Sequence, residues 1–446
     1  MQSESSPYPV RYGDEPPRTA DAVVVGGGIL GAATAFYAGR AGLRCVLLER
    51  RARLCTLTTP ASTGAFRAQF DNPEETRLVR ESIAAFEHFD DHLGLAGADA
   101  GLLEQGYLWL TTTEAGVARQ RELVARQREW GLDDVELLSG DEARRRFPYL
   151  SPDVRGARFR AGDGFLEPRR VTMGFAAASG ATVCLETPAT GFELSGDRVI
   201  GVRTPRGSVA CDRVIVAAGP FSGVVAAWAG LDLPLTLRIR QRLVMPRLAE
   251  VPARAPMTID EDTGAHWRPA LAGAYLLYTQ HDTPAGPPLW DVPTSTDFYF
   301  GLLDPRSPHA AARIAPFWRR VWERNDAPWF LTAGQYTYSP DHRPLLGPTA
   351  VPGLGLNTGY SGHGVMGSAG GSRLAVDAML GRVAPADNPF RVDRPMEPWG
   401  CPAFVDSLEL RGPATITSVN GGGDTWRHAA PAVRRSDVSA VLRHAR

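Results

Sequence analysis

Apolar positions along the chain fall into runs whose spacing changes from unbroken to helical to alternating, and each change marks an element. Val23, Val24 and Val25 form a continuous β-branched run, the pattern of a buried parallel strand. Apolar residues then recur at helical spacing over Ile29–Arg40, and residues 43–48, apolar except for Arg44, read as a second strand. Strand, helix and strand are predicted in that order. Residues 74–93 carry Leu78, Val79, Ile83, Phe86 and Leu93 on one face and predict an amphipathic helix. Ser139 and Glu142 have capping-box spacing ahead of Phe147 and Pro148. Residues 182–185, 198–203 and 209–216 read as strands returning to the first unit. Leu374, Val376, Ala378 and Leu380 predict a helix that stops at Gly381. Residues 281–297 hold Pro284, Pro287, Pro288 and Pro293 around Trp290 and read as a lid or surface loop.

Composition narrows the classes. A chain of 446 residues, 43% hydrophobic and 22% charged, has the make-up of a globular protein of two to three domains. Its 48 basic and 49 acidic residues leave a net charge of -1, so no global field draws it to nucleic acid or an anionic membrane. Every basic residue is arginine. Without lysine there is no Schiff-base chemistry, no lysine general base and no Walker-A site. Cys45, Cys55, Cys184, Cys211 and Cys401 form no CxxC pair, which argues against a thiolate metal site or a disulfide framework and for a reducing cytoplasm. Residues 1–19 are polar and proline-rich, with no signal-peptide run, and read as a flexible arm. The longest apolar stretch, residues 22–38, is interrupted by glycines and short for a bilayer, so no membrane span is expected. His88 and His92 have metal-ligand spacing but no third ligand, and no metal site is expected; both read as a solvated helix end.

The first predicted turn carries chemistry. Gly26, Gly28 and Gly31 have GxGxxG spacing between a strand and a helix, where backbone NH groups of Ile29 and Leu30 and the helix dipole can hold a pyrophosphate. Glu49 ends the second strand, 21 residues past Gly28, and is followed by Arg50. A carboxylate there accepts from ribose hydroxyls and repels the extra phosphate of NADP. The pattern is that of a dinucleotide site.

Further segments resemble one family. Residues 61–70, with Ser62, Thr63, Gly64, Ala65, Phe66 and Arg67 among them, are similar to a loop that runs beside a flavin ring. Ala218, Gly219 and Pro220, after Val214 to Ala217, resemble the turn that closes an FAD domain. Tyr336, Thr337, Pro340 and Asp341 match a YTxxPD stretch, and Gly359, Tyr360, Ser361, Gly362, His363, Gly364 and Val365 contain SGHG. Order and spacing agree over about residues 20–395 with the glycine oxidase, sarcosine oxidase and dimethylglycine dehydrogenase group of the D-amino acid oxidase superfamily.

That resemblance implies an α/β fold, with a Rossmann-type, glutathione-reductase-like FAD-binding domain and a second α+β substrate domain built on an antiparallel sheet. It assigns residues 20–100, 151–230 and 332–383 to the FAD domain, 101–150 and 231–331 to the substrate domain, and 384–446 to a C-terminal tail. Residues 258–269 and 274–278 resemble paired strands over the flavin, which puts His266 and Arg268 near the substrate. Tyr336 is implied as a further pocket residue, Arg67 as a neighbour of the ring and Arg268 as an anion clamp. His363 and the helix beyond it are implied to face the flavin, with the helix dipole favouring charge at N1 and the C2 carbonyl.

Three departures matter. Gly334 stands where monomeric sarcosine oxidases have the cysteine that bonds to flavin, so FAD is expected to be noncovalent. Met366 stands at a lysine and Phe70 at an arginine that hold substrate carboxylate, and the oxygen-activating lysine has no counterpart. The implied activity is oxidation of a secondary or N-methyl amine or amino acid by hydride transfer to flavin N5, giving an imine that hydrolyses. The substrate is expected to bear a carboxylate and to be somewhat larger than sarcosine. Oxygen as acceptor, with peroxide as product, is favoured over an electron carrier. Two alternatives stay open: a tailoring flavoenzyme for a larger amine, with Met366 and Phe70 as apolar walls, and a non-catalytic flavin-binding assembly or binding protein.

Overall fold

A computed structural model of the chain describes residues 8–279 and 283–397. Residues 1–7, His281, Cys401 and the tail from residue 398 onward lie outside the described residues. The valine run becomes strand Ala22–Val25, fully buried, at the middle of a six-stranded sheet. Its spatial order is Leu345–Pro348, Leu354–Thr358, Arg213–Val216, Ala22–Val25, Cys45–Leu48 and Thr182–Cys184. All neighbours are parallel except the first pair. Such strands need cover on both faces. Helix Ile29–Arg40 packs on one face with helices Pro168–Ala178 and Ser368–Met379, and a layer with Phe192, Val199 and Val209 covers the other.

A second, eight-stranded sheet is antiparallel except where Met257–Asp260 runs parallel to Tyr107–Thr111. Its order is Phe330–Tyr338, Thr236–Met245, Gly273–Leu277, His266–Ala270, Met257–Asp260, Tyr107–Thr111, Gly156–Arg160 and Glu136–Ser139. Alternation gives the sheet two characters. Trp267, Leu276 and Leu243 face an aromatic core with Phe298, Phe317 and Trp318. The opposite face carries the polar residues described below. Strands Gly156–Arg160 and Phe330–Tyr338 pair in this sheet, although their segments are expected in the FAD domain.

Several expectations change. Residues 8–19 are no loose arm, because strand Thr182–Cys184 is a sheet edge with free backbone groups. Gly13 donates to the Val183 carbonyl at 3.0 Å and Val183 donates to Arg11 at 2.9 Å. The 74–93 helix is two helices, Pro73–Glu87 and Phe89–Leu93, broken where His88 leaves helical geometry at φ -124, ψ 52. His88 is exposed as expected, while His92 is half-buried, with its Nε2 2.9 Å from the Tyr37 hydroxyl. The 209–216 segment splits into Val209–Ala210, which joins a three-stranded antiparallel sheet with Arg198–Arg203 and Gly191–Ser195, and Arg213–Val216. The Ser139 and Glu142 capping box is formed as expected. No described helix is long and apolar enough to cross a membrane.

Candidate active site

The dinucleotide turn is built for close approach. A Cβ on Gly31 would lie 1.7 Å from the Gly26 carbonyl oxygen, so helix and strand meet there only because Gly31 has no side chain. Gly28 at the helix N-cap has no capping side chain of its own, and the Thr59 hydroxyl accepts from the Ile29 amide at 3.3 Å. Glu49 sits under this turn, accepting from Gly27 N at 2.6 Å and Arg51 N at 2.7 Å. Burial raises its carboxyl more than these amide bonds lower it. An open helix N-terminus beside a carboxylate fits pyrophosphate and ribose. Ala217, ahead of the Ala218 to Pro220 turn, donates to Val25 at 2.9 Å, so the two turns share one end of the sheet.

Register explains the rest. Directly opposed residues share a face, so Arg268 opposite Tyr275, Tyr275 opposite Val244, and Arg242 two residues before Val244 project together. The same reckoning adds Tyr336, His266, Tyr107 and Trp109. The Arg242 and Arg268 guanidinium carbons lie 4.2 and 4.7 Å from the Tyr275 ring centre. Both groups are pinned to the loop that holds residues 60–63: Arg242 donates to the Ser62 carbonyl and, at 3.2 Å, to Pro60, while Arg268 Nε donates to Thr63 at 2.6 Å. Desolvation pushes Arg268 down to about 10 and lowers Arg242 as well. Arg242 Nε and the Thr332 hydroxyl are buried without partners.

The loop side completes the group. Arg67 lies over Phe70 at 4.3 Å and Trp109 at 5.5 Å, donates to Gln69 O at 2.6 Å, and reaches His363 Nε2 at 3.2 Å. Asp163, fully buried, fixes this loop through Ala68 N and Gln69 Nε2, both at 2.9 Å. Tyr107 stands near Arg67 and Tyr336, and burial pushes its hydroxyl up to about 12. Tyr336 packs on the SGHG turn, where a Cβ on Gly362 would come within 2.4 Å of its ring. The Ser361 hydroxyl in that turn is buried and unpartnered. The turn does not cap a helix directly; the helix begins at Ser368, after Gly367 N has bonded to His363 O at 2.9 Å.

Thus Arg67, Arg268, Tyr336 and His363 come together. His266 shares their sheet face, its Nδ1 2.8 Å from the Gly264 carbonyl. The sequence reading missed Tyr107, Tyr275, Arg242 and Glu75. The alternation of Arg238, Arg240 and Arg242 with Leu237, Ile239 and Gln241 was a visible signal for one of them. Phe70 and Met366, expected as apolar walls, are both buried in the main core, and Phe70 there also packs under Arg67.

The sequence profile of the DAO family, FAD dependent oxidoreductase, matches residues 21–378. The chain belongs to this family. Mouse dimethylglycine dehydrogenase, mitochondrial, is 26% identical over 401 residues, covering 85% of this chain and 45% of that protein. Human sarcosine dehydrogenase, mitochondrial, is 26% identical over 384 residues, covering 82% of this chain and 40% of its own length. The chain therefore spans less than half the length of these curated relatives. Glycine oxidase from Bacillus cereus ATCC 14579 shares the fold with a TM-score of 0.70 at 23% identity, over 84% of this chain and 99% of that one. FAD is the family's cofactor, and the glycine turn, Glu49 and the unpartnered Ser361 hydroxyl fit it.

Proposed function

We propose that this DAO-family protein oxidises a carboxylate-bearing secondary or N-methyl amine, with noncovalent FAD. The carrying observation is a set of three buried guanidiniums, Arg67, Arg242 and Arg268, interleaved with Tyr107, Tyr275 and Tyr336 and lacking any ion pair among the described residues. Buried cations without an anion are costly, so the missing negative charge is one a substrate brings. Bound FAD supplies the two-electron acceptor for the hydride on the carbon beside nitrogen. Arg242 and Arg268 hold the carboxylate. Their field disfavours a protonated amine nearby and leaves its nitrogen lone pair free. Tyr107 keeps its proton at neutral pH and can donate a hydrogen bond. Tyr336 and the aromatic faces exclude water and orient the carbon. Gly334 supports noncovalent binding, because even a Cβ there would lie 3.2 Å from Ala61 Cβ.

The relatives' names support the N-methyl amine class, since two act on dimethylglycine and sarcosine. They also support an electron carrier as acceptor as much as oxygen. Oxygen remains our first choice, since three guanidiniums are available to stabilise a superoxide-like state. A reducing cytoplasm and the two-domain division belong to the same proposal. Anaerobic mixing with N-methyl and secondary amino acids should bleach the flavin, and peroxide yield in air against dye reduction then separates the acceptors. No bleaching with any amine overturns the assignment. Arg268→Met should weaken carboxylate inhibitors about 10- to 100-fold while the FAD spectrum is unchanged.

A further inference from the structure

Glu75, on helix Pro73–Glu87, is 6% exposed and plays no part in holding substrate in the reading above. One carboxylate oxygen accepts from the Asn72 amide at 2.8 Å, and the other faces His363 Nδ1 at 3.4 Å. On the far edge of that imidazole, Nε2 lies 3.2 Å from an Arg67 terminal nitrogen. A guanidinium only donates, so Nε2 must accept and the ring proton must sit on Nδ1, directed at Glu75. The order of donors and acceptors then runs one way, from Arg67 through His363 to Glu75. The imidazole is neutral and the positive charge stays on Arg67. Phe70 supports both members, edge-on to His363 at 5.0 Å and beneath the Arg67 guanidinium at 4.3 Å.

We propose that Glu75 and His363 are positioning residues that fix Arg67 as the resident cation at the flavin edge, with His363 a neutral relay and not a second cation. This rests on the reading that FAD lies beside the 61–70 loop. A cation held still needs no reorganisation when negative charge develops near it, and its value falls steeply once it can swing away.

The test uses the FAD-loaded protein and His363→Asn, Glu75→Ala, Glu75→Gln, Arg67→Met and the Arg67→Met/His363→Asn double variant. At a fixed dye potential, His363→Asn should lower the ratio of reduced to oxidised flavin about tenfold, some 30 mV for two electrons. Sulfite, an anion that adds to flavin, should bind about tenfold more weakly. Glu75→Ala should lose part of this, and Glu75→Gln, which keeps an acceptor for the ring proton, should restore it. The double variant should match Arg67→Met alone, because the relay acts only through Arg67. In nitrogen-15 spectra the signal lost in His363→Asn should be a neutral imidazole with its proton on Nδ1. Additive losses in the double variant, an unchanged potential in both His363→Asn and Glu75→Ala with FAD bound, or a cationic imidazole at pH 7 overturns the relay. Wild-type protein that takes up no FAD overturns instead the functional reading beneath it.

Discussion

Arg158 shows what a buried charge demands of its neighbours. It is 0% exposed, and none of its three guanidinium nitrogens has a partner among the described residues. Its guanidinium carbon lies 5.0 Å from the Trp109 ring centre, and desolvation pushes the group down to about 10. Glu261 is the nearby counter-charge, raised by its own burial, with one oxygen held by Gln120 at 2.7 Å and the other unpartnered. Orphan donors and an orphan acceptor close enough to feel one another's charge in a closed interior call for bridging water. Arg158→Met should therefore cost about 2 to 4 kcal/mol, because it strands the Glu261 carboxylate, and Glu261→Gln in that background should recover part of it. Chemical denaturation of the two FAD-loaded variants checks this; a neutral Arg158→Met would show that the pair does not matter. At this scale the sequence was readable where chemistry is local. Gly28, Glu49 and His363 lie in short motifs whose spacing implies their use. Tyr107 and Glu75 do not, since only sheet register and a helix 288 residues from His363 bring them to the site.

Among the elements, residues 283–296 show how far a pattern of prolines can be read. Composition marks an irregular loop, but not what it touches. Arg51 donates to the Trp290 carbonyl at 2.5 Å, and the Trp290 ring stacks on Phe221 at 3.6 Å with Arg50 4.6 Å above it. Gln335 holds the loop at both Pro287 and Leu289, at 2.8 and 2.7 Å. The strap thus reaches from the large sheet to Arg50 and Arg51, the residues just after Glu49, which is proposed to meet the ribose. The helices and buried strands were legible because their periodicity spans many residues, as with Ile29–Arg40, which matches its expected bounds. Contacts of a loop have no such period. Loss of the Trp290 stacking and cation–π contacts, worth about 1 to 2 kcal/mol, should speed FAD release about 5- to 30-fold in Trp290→Ala. Dilution into excess competing flavin, followed by fluorescence, measures it. FMN, lacking the adenosine half, should be released at the same rate from both proteins, and an equal acceleration for both flavins would place the strap elsewhere.

For the molecule as a whole, the question is how the segment beyond the family match is held. Asp341, the acid of the YTxxPD stretch, pairs with Arg394, with Nε to Oδ2 and a terminal nitrogen to Oδ1 both at 2.8 Å. Arg394 also donates to the carbonyls of Arg343 and Pro344, each at 2.9 Å, and Phe390 nearby is buried in the main core. The motif acid is therefore a clasp for the last described residues. Burial alone would raise the Asp341 carboxyl, but the paired hydrogen bonds and charge of Arg394, with the Arg343 amide and Ser339 hydroxyl, hold it below its ordinary value. A carboxyl depressed in the folded state binds fewer protons there than in the unfolded chain, so stability rises with pH across the interval between the two values. The contribution is complete above the ordinary value of about 4 and disappears as pH falls through the folded value beneath it. Asp341→Asn should lower stability by about 1 to 2 kcal/mol at pH 7, after allowance for solvent at the pair's edge, and leave amine oxidation per bound FAD unchanged. As pH falls below the ordinary value of about 4 the wild type should progressively lose this margin and the two denaturation curves should approach one another. A gap that does not narrow as pH falls would mean the asparagine harms packing and that the charge on Asp341 is not what holds the segment.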